Sequence, residues 1–242
     1  MMEVRNLAKS YGQQPILRNI NLIVEQGKTL AVLGRSGCGK TTLLRIVAGL
    51  ISPDNGKVLL DGKDMEGVPT HLRNAVYMNQ EPLLFPHLTV RQNIAFGLKI
   101  RSISVQQIQK EVSTMLEQLG LQDHADKWPD QLSGGQRQRV SFGRAIITQP
   151  SVLLLDEPFG NLDTDTRQQM QELFLQLTRT YQTTSLLVTH DLKEAILVGN
   201  ETAYMEEGEL YFYDSPAAFL ADPRTGGASE LAFWKQYMNN NI

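Results

Sequence analysis

Gly34-Arg35-Ser36-Gly37-Cys38-Gly39-Lys40-Thr41 decides the fold. It fits the pattern Gly-x4-Gly-Lys-[Ser/Thr], and it stands between the short apolar run Thr29–Leu33 and the helical run Thr42–Ala48. That order is strand, glycine-rich phosphate loop, helix. Glycines at 34, 37 and 39 let backbone amides close round phosphates at the positive end of the following helix. Lys40 then reaches the β and γ phosphates and the Thr41 hydroxyl ligates Mg²⁺, with Ser36, Cys38 and Thr42 supplying the rest of the loop.

On the N-terminal side, Thr29–Leu33 is a short run, apolar without a break from Leu30, as a strand buried on both faces of a parallel sheet requires. Similar runs recur at Val58–Leu60, Val76–Met78, Val152–Leu155 and Ser185–Val188 with helical stretches between several of them, so the fold class is α/β with a mixed sheet. The early strands are predicted to be antiparallel, among them Ile16–Val24, where Ile16, Arg18, Ile20, Leu22 and Val24 alternate. Between Glu81 and Gln149 the spacing turns helical: Val105, Ile108, Val112, Met115, Leu116 and Leu119 form one stripe, stopped by Gly120. A second helix carries Met170, Leu173, Phe174 and Leu177, and Thr202–Met205 with Glu209–Tyr213 reads as a hairpin. The reading is one domain over 1–242: a nucleotide-binding core from about 1–80 and 150–215, an inserted helical subdomain at about 81–149, and a tail at 216–242. Within the tail, Ala217–Ala221 is a short helix and Asn239–Asn241 is frayed.

Val152–Pro158 supplies the second half of the phosphate site. An apolar strand ending in Asp156 places a carboxylate at the edge of the sheet where ligands of open α/β sheets bind, suited to the magnesium shell. Glu157, one residue on, is placed to polarise an attacking water as general base, which points to hydrolysis rather than nucleotide binding alone.

Composition sets the limits. The 242 residues are 41% hydrophobic and 20% charged with a net charge of −3, ordinary for a globular chain and without the basic excess that nucleic-acid binding calls for. No apolar run is long enough to span a bilayer, and the first twelve residues lack the pattern of a signal peptide, so the chain is expected to be soluble and to start in the cytosol. One cysteine rules out an internal disulfide, and His71, His87, His124 and His190 are too scattered for a metal cluster. Cys38 lies near a helix N-terminus, where the field lowers a thiol pKa, so alkylation is expected to block hydrolysis and MgATP to protect; the alternative is a small space-filling residue.

Leu132-Ser133-Gly134-Gly135-Gln136-Arg137-Gln138-Arg139 reads by itself as a serine-capped basic helix. Set between the phosphate loop and the Asp156-Glu157 strand, it makes the chain resemble the ATP-binding cassette family over nearly its full length. The resemblance implies that Leu132–Gln136 is the signature motif, which completes the ATP site of a partner subunit through Ser133, Gly135 and Gln136. It further implies that Tyr11 stacks on adenine, that Gln80 senses Mg²⁺ and water, and that His190 is the switch histidine at the γ-phosphate. Asn161-Leu162-Asp163 resembles the loop that communicates across the dimer, although Gly160 replaces the usual serine. Ser141-Phe142-Gly143-Arg144 departs from the common Ala-x-Ala-Arg face, and Gly143 is expected to weaken its helix by about 1 kcal/mol relative to Ala.

The mechanism implied is a head-to-tail pair sandwiching two ATPs, closing on ATP and opening on hydrolysis. Permease subunits in the membrane, with a solute-binding protein acting through them, are the implied partners, and the location is the inner face of the cell membrane. Leu84, Phe85 and Pro86 either form part of a docking cleft or fill the subdomain core. The short stretch between Lys40 and Ser133 leaves no room for the coiled coils of repair ATPases. Val68–Asn74 and Leu84–Val90 are similar to importer subunits for sugars, polyamines, ferric iron, sulfate or molybdate. The end of the chain soon after the cassette favours inorganic ions or polyamines.

Overall fold

The computed structural model describes residues 1–101, 103–230, 232, 233 and 236. In chain order the elements are β1 (Met2–Tyr11), β2 (Gln14–Val24), β3 (Thr29–Gly34), α1 (Lys40–Ala48), β4 (Asn55–Leu60), β5 (Lys63–Asp64) and β6 (Ala75–Met78). They continue with α2 (Val90–Ile100), α3 (Val105–Gln118), α4 (Gly134–Ile146), β7 (Val152–Asp156), α5 (Thr164–Tyr181), β8 (Ser185–Thr189), α6 (Leu192–Val198), β9 (Glu201–Glu206), β10 (Glu209–Tyr213) and α7 (Pro216–Ala221). The six-stranded sheet runs β10-β9-β3-β8-β7-β6, parallel except for β10. The early antiparallel strands form a second sheet of their own, β2-β1-β4-β5.

Why β3 is apolar from Leu30 to Leu33 is visible in its two faces. Leu30 and Val32 join α1 and the antiparallel sheet in one core, while Ala31 and Leu33 face the helices of the other core. Helix α1 is therefore held between the sheets, and the loop before it is anchored on both sides. Each such buried aliphatic side chain contributes roughly 1.5–3 kcal/mol.

In β2 the predicted alternation fails at its start. Leu17, not Arg18, is buried, because Asn19 at φ +51° shifts the phase before Ile20, Leu22 and Val24. The exposed Arg18 instead donates its backbone N–H to the Gly208 carbonyl at 2.8 Å. Helix α3 keeps its stripe, but Val105 lies outside it, 71% exposed. The tail helix forms at Pro216–Ala221, and Asn239–Asn241 lie outside the described residues.

Of the helices between β6 and β7, α4 packs on the rest through aromatic rings. Phe142 of α4, Phe159 after β7 and Phe174 of α5 are buried with ring centroids 5.8–6.1 Å apart. Gly143 sits in this packing: a Cβ there would lie 2.5 Å from Leu119 Cδ1 and 3.3 Å from Met115 Cγ. The helix propensity that alanine would gain is thus opposed by overpacking of about 1–3 kcal/mol, so glycine is the residue that fits.

Candidate active site

The phosphate loop leaves β3 and enters α1 at Gly39, whose φ of +112° only glycine adopts readily. A Cβ on Gly39 would approach the Ile16 carbonyl and Leu17 to 2.9 Å, and one on Gly34 would lie 2.6 Å from the Met205 carbonyl oxygen. Lys40, 5% exposed, donates to the carbonyls of Gly34 at 2.6 Å and Arg35 at 2.9 Å. An ammonium has three N–H groups, so one remains for a ligand.

Asp156 stands opposite, on the α1 side of β7 with Leu154. Its Oδ1 accepts from the Thr41 hydroxyl at 3.2 Å and its Oδ2 from the Tyr77 hydroxyl at 2.7 Å. Burial, followed by that bond to Asp156, pushes the Tyr77 phenol up to about 12. Glu157 adopts φ +47°, a conformation costly for a non-glycine residue and typical of functional sites. Its amide bonds to the Val188 carbonyl at 3.0 Å, and its Oε2 lies 2.8 Å from His190 Nδ1.

A cavity of about 300 Å³ collects Tyr11, Ser36, Gly37, Gly39, Lys40, Thr41, Thr42 and Glu157. It pairs an exposed aromatic face with phosphate-binding amides, a buried cation and a carboxylate. Such a cradle fits a nucleoside triphosphate. Among the described residues no cluster of three His, Cys, Asp or Glu could hold a metal alone. The Thr41–Asp156 pair does suit a hard cation that takes its remaining oxygens from phosphates and water.

The other predicted residues are placed elsewhere. Gln80 donates to Asn161 Oδ1 at 3.3 Å and lines a neighbouring cleft with Gln138 and Pro158. Ser133 is exposed and caps α4: its Oγ accepts from the Gln136 amide at 3.3 Å, and the Gln136 side chain accepts from the Ser133 amide at 3.0 Å. Gly135 lies beside Thr166, where a Cβ would meet the methyl at 2.7 Å. None of Ser133, Gly135 and Gln136 lines the cavity of its own chain's phosphate loop. Asp163 spends its side chain capping α5, accepting from the Thr166 amide at 3.0 Å, a bond that holds its carboxyl below the usual range.

Cys38 departs from expectation. Its side chain packs against the core beside α1, and burial raises the thiol pKa in spite of the nearby Lys40. The helix-end field is outweighed by desolvation, which favours the space-filling alternative over the reactive thiolate.

Several residues escape a motif search. Gln138, buried, donates to the Pro158 carbonyl at 2.7 Å and so ties α4 to the residue after Glu157. Arg167 joins the Leu162 carbonyl at 3.1 Å to Asp191 at 3.4 Å, the residue after His190. Behind them Glu194 is 2% exposed, and burial raises its carboxyl pKa to about 8. A carboxyl neutral when folded and ionised when unfolded binds more protons in the folded state. Stability from this group is therefore full below about 4.5 and falls by roughly 1.4 kcal/mol per pH unit up to about 8. Glu194→Gln is expected to melt well above the parent at pH 8 and close to it at pH 5; parallel melting curves at both values would contradict this.

A second cleft, of about 270 Å³, lies between the sheet edge and α2 and α4. Leu83, 59% exposed, and Phe96 flank it, the Phe85 ring lies tilted at 43° against Phe96 with centroids 4.4 Å apart, and the Arg144 guanidinium covers Phe85 at 5.1 Å. Leu84 packs against the core instead, and Pro86 does not line the cleft. Of the three residues, Leu84 thus fits the core-filling reading and Phe85 lines a cleft.

The model of the family described as ABC transporter matches residues 17–160, more than half of the chain. The chain belongs to the ABC transporter family. The cassette is 42% identical over its whole length to a spermidine/putrescine import ATP-binding protein, PotA, of Nitrosospira multiformis, spanning 67% of that protein. It is 41% identical over 96% of its length to the sulfate/thiosulfate import ATP-binding protein CysA of Pectobacterium atrosepticum, spanning 70% of it. With the Fe(3+) ions import ATP-binding protein FbpC of Escherichia coli O157:H7 the identity is 39% over 92% of the chain, spanning 64% of that protein. Among solved structures, the ATP-binding cassette MJ0796, dimeric in a post-hydrolysis state with ADP and Pi, superposes with a TM-score of 0.76 at 30% identity. That match covers 87% of this chain and 96% of the other. The α/β architecture is accordingly that of a P-loop ATPase cassette, and the ABC cassette's chemistry is ATP hydrolysis.

Proposed function

We propose that this chain is the ATP-hydrolysing subunit of an importer and works as a head-to-tail pair, each phosphate loop completed by Ser133, Gly135 and Gln136 of the other copy, with the loop that holds Asp163 binding nucleotide and communicating across the pair. The observation that carries this reading is the separation within one chain: Lys40, Thr41 and Glu157 share a cavity, while Ser133 is exposed on a surface that does not line it. A nucleotide contacted by both copies binds the closed pair more tightly than the open one, and that difference in affinity drives closure.

Within the cavity, Tyr11 stacks on the base, and Lys40 with the loop amides of residues 34–42 holds the phosphates. Thr41 and Asp156 would hold Mg²⁺, with Gln80 reaching in from the neighbouring cleft, and the ion would neutralise the phosphate charge. Glu157 accepts the proton of the attacking water, and His190, hydrogen-bonded to it, orients that carboxylate and reaches toward the γ-phosphate. Gln80 lies where β6 leads into the helices, so it couples the cavity to an inserted helical subdomain at about 81–149. The nucleotide core is then 1–80 with 150–215, and 216–242 is a tail.

The cleft beside Phe85 and Phe96 is the site for permease subunits in the membrane. No helix among the described residues is long and apolar enough to cross a bilayer. The cassette rides on the cytoplasmic face through those subunits, as the import ATP-binding names of the relatives support, with a solute-binding protein delivering cargo on the far side. The import functions named for the relatives above support a polyamine or an inorganic ion such as ferric iron or sulfate as cargo, and the sequence resemblance adds molybdate. Uptake of labelled spermidine, putrescine, sulfate, molybdate and ferric iron by a strain lacking this chain tests the assignment. Loss of uptake of one cargo, restored by the parent but not by Glu157→Gln, is expected; unchanged uptake of all five would contradict it and favour a non-transport ABC ATPase.

A further inference from the structure

Asp156 is held from two sides, and only one of them belongs to the phosphate loop. Oδ1 meets Thr41 across the sheet edge, and Oδ2 receives the phenolic hydrogen of Tyr77 at 2.7 Å, the shorter of the two bonds. Tyr77 is fixed by the sheet. It pairs with Leu154 in the parallel register of β6 and β7, and its ring packs into the core around α1. Since side chains alternate along a strand, Leu154 and Asp156 share that face with Tyr77, so the contact follows from register. A carboxylate offers two oxygens and about four lone-pair directions. With Oδ2 occupied by a donor on a rigid strand, Oδ1 is the oxygen left to turn toward Thr41 and a cation.

We propose that Tyr77 is a positioning residue for magnesium: its hydroxyl fixes the rotation of the Asp156 carboxylate, so that one oxygen is presented beside Thr41. This rests on the reading of Thr41 and Asp156 as holders of the metal. Partners that orient a metal-binding carboxylate commonly change metal affinity by about 10–100-fold when removed. Tyr77 also lies three positions before Gln80 on the segment leaving β6. The orienting group and the outlet toward the helices are therefore carried by one strand.

The test is equilibrium binding of a fluorescent non-hydrolysable ATP analogue to the full chain, first in EDTA and then across a Mg²⁺ titration. Tyr77→Phe deletes one oxygen and keeps the ring in its packing. The expected result is an affinity in EDTA within about twofold of the parent, with the Mg²⁺ concentration for half-maximal enhancement raised roughly tenfold or more. A rise below about threefold overturns the inference, as does an equal loss of affinity in EDTA, which would mark Tyr77 as structural only. Thr41→Ala and Asp156→Asn are run alongside. If they lose the Mg²⁺ enhancement and Tyr77→Phe keeps it, the inference alone fails; if they also keep it, the metal site itself has been misplaced.

Discussion

Glu157→Gln is expected to keep MgATP affinity within a few-fold of the parent while turnover drops by roughly 10²–10⁴-fold, the usual contribution of a general base. The amide preserves the shape of the side chain and the turn that holds it, in which the Glu157 amide bonds to Val188 and the Gly160 amide bonds to the Glu157 carbonyl at 3.2 Å. It removes the capacity to accept a proton and replaces the partner of His190 Nδ1 with a neutral group. Nucleotide contacts made by Lys40 and the loop amides are untouched, so the bound state persists. The variant should accumulate as a closed pair on size-exclusion chromatography with MgATP. Parental turnover would remove Glu157 as the base, and loss of binding would mean that its role is to shape the loop.

The second large effect comes in two halves of one site. Lys40→Ala deletes a buried ammonium whose remaining N–H would serve the phosphates. Each charge-assisted bond is worth about 1.5–3 kcal/mol, so nucleotide affinity is expected to fall by about 10–100-fold and turnover with it. Ser133→Arg acts on an exposed residue outside its own chain's cavity. It should leave MgATP binding to that chain's phosphate loop intact while abolishing turnover. The melting temperature of Ser133→Ala without nucleotide reports the loss of the α4 cap, about 1 kcal/mol of stability. Binding by isotherm and turnover by phosphate release separate the two variants: the first fails both assays, and the second fails only turnover. Equal loss of binding in both would place Ser133 in its own chain's pocket.

What could be read from the sequence follows from how local each feature is. The phosphate loop and the Asp156-Glu157 pair are contiguous segments whose chemistry is set by neighbours in the chain, and β3, α1, β7 and β8 form where their apolar patterns place them. Strand β1 went unrecognised: its buried residues Met2, Val4 and Leu7 change phase at Asn6, which takes φ +50°. The same kind of shift at Asn19 misplaced Arg18 in β2. A bulge of this sort is invisible to a strict period of two. That the antiparallel strands close a separate sheet over α1 depends on pairings between β1, β2 and β4, which strand patterns do not fix. Gly143 looks costly by helix propensity, and its reason, the approach of Leu119, exists only after α3 and α4 pack. For Cys38 the sequence leaves two readings open, because its place at a helix end is sequence-legible while the direction of its side chain is not. The Tyr77–Asp156 bond spans 79 positions, and Gln138 and Arg167 likewise act on carbonyls brought close by the fold.

The most direct test of the shared site is to mix Lys40→Ala and Ser133→Arg chains, each inactive alone. A mixed pair contains one site with both lesions and one with an intact phosphate loop facing an intact Ser133. Turnover should therefore return on mixing, rise to a maximum near equal amounts and vanish on dilution. No recovery at any ratio, with pairing of the two chains verified, would contradict the account.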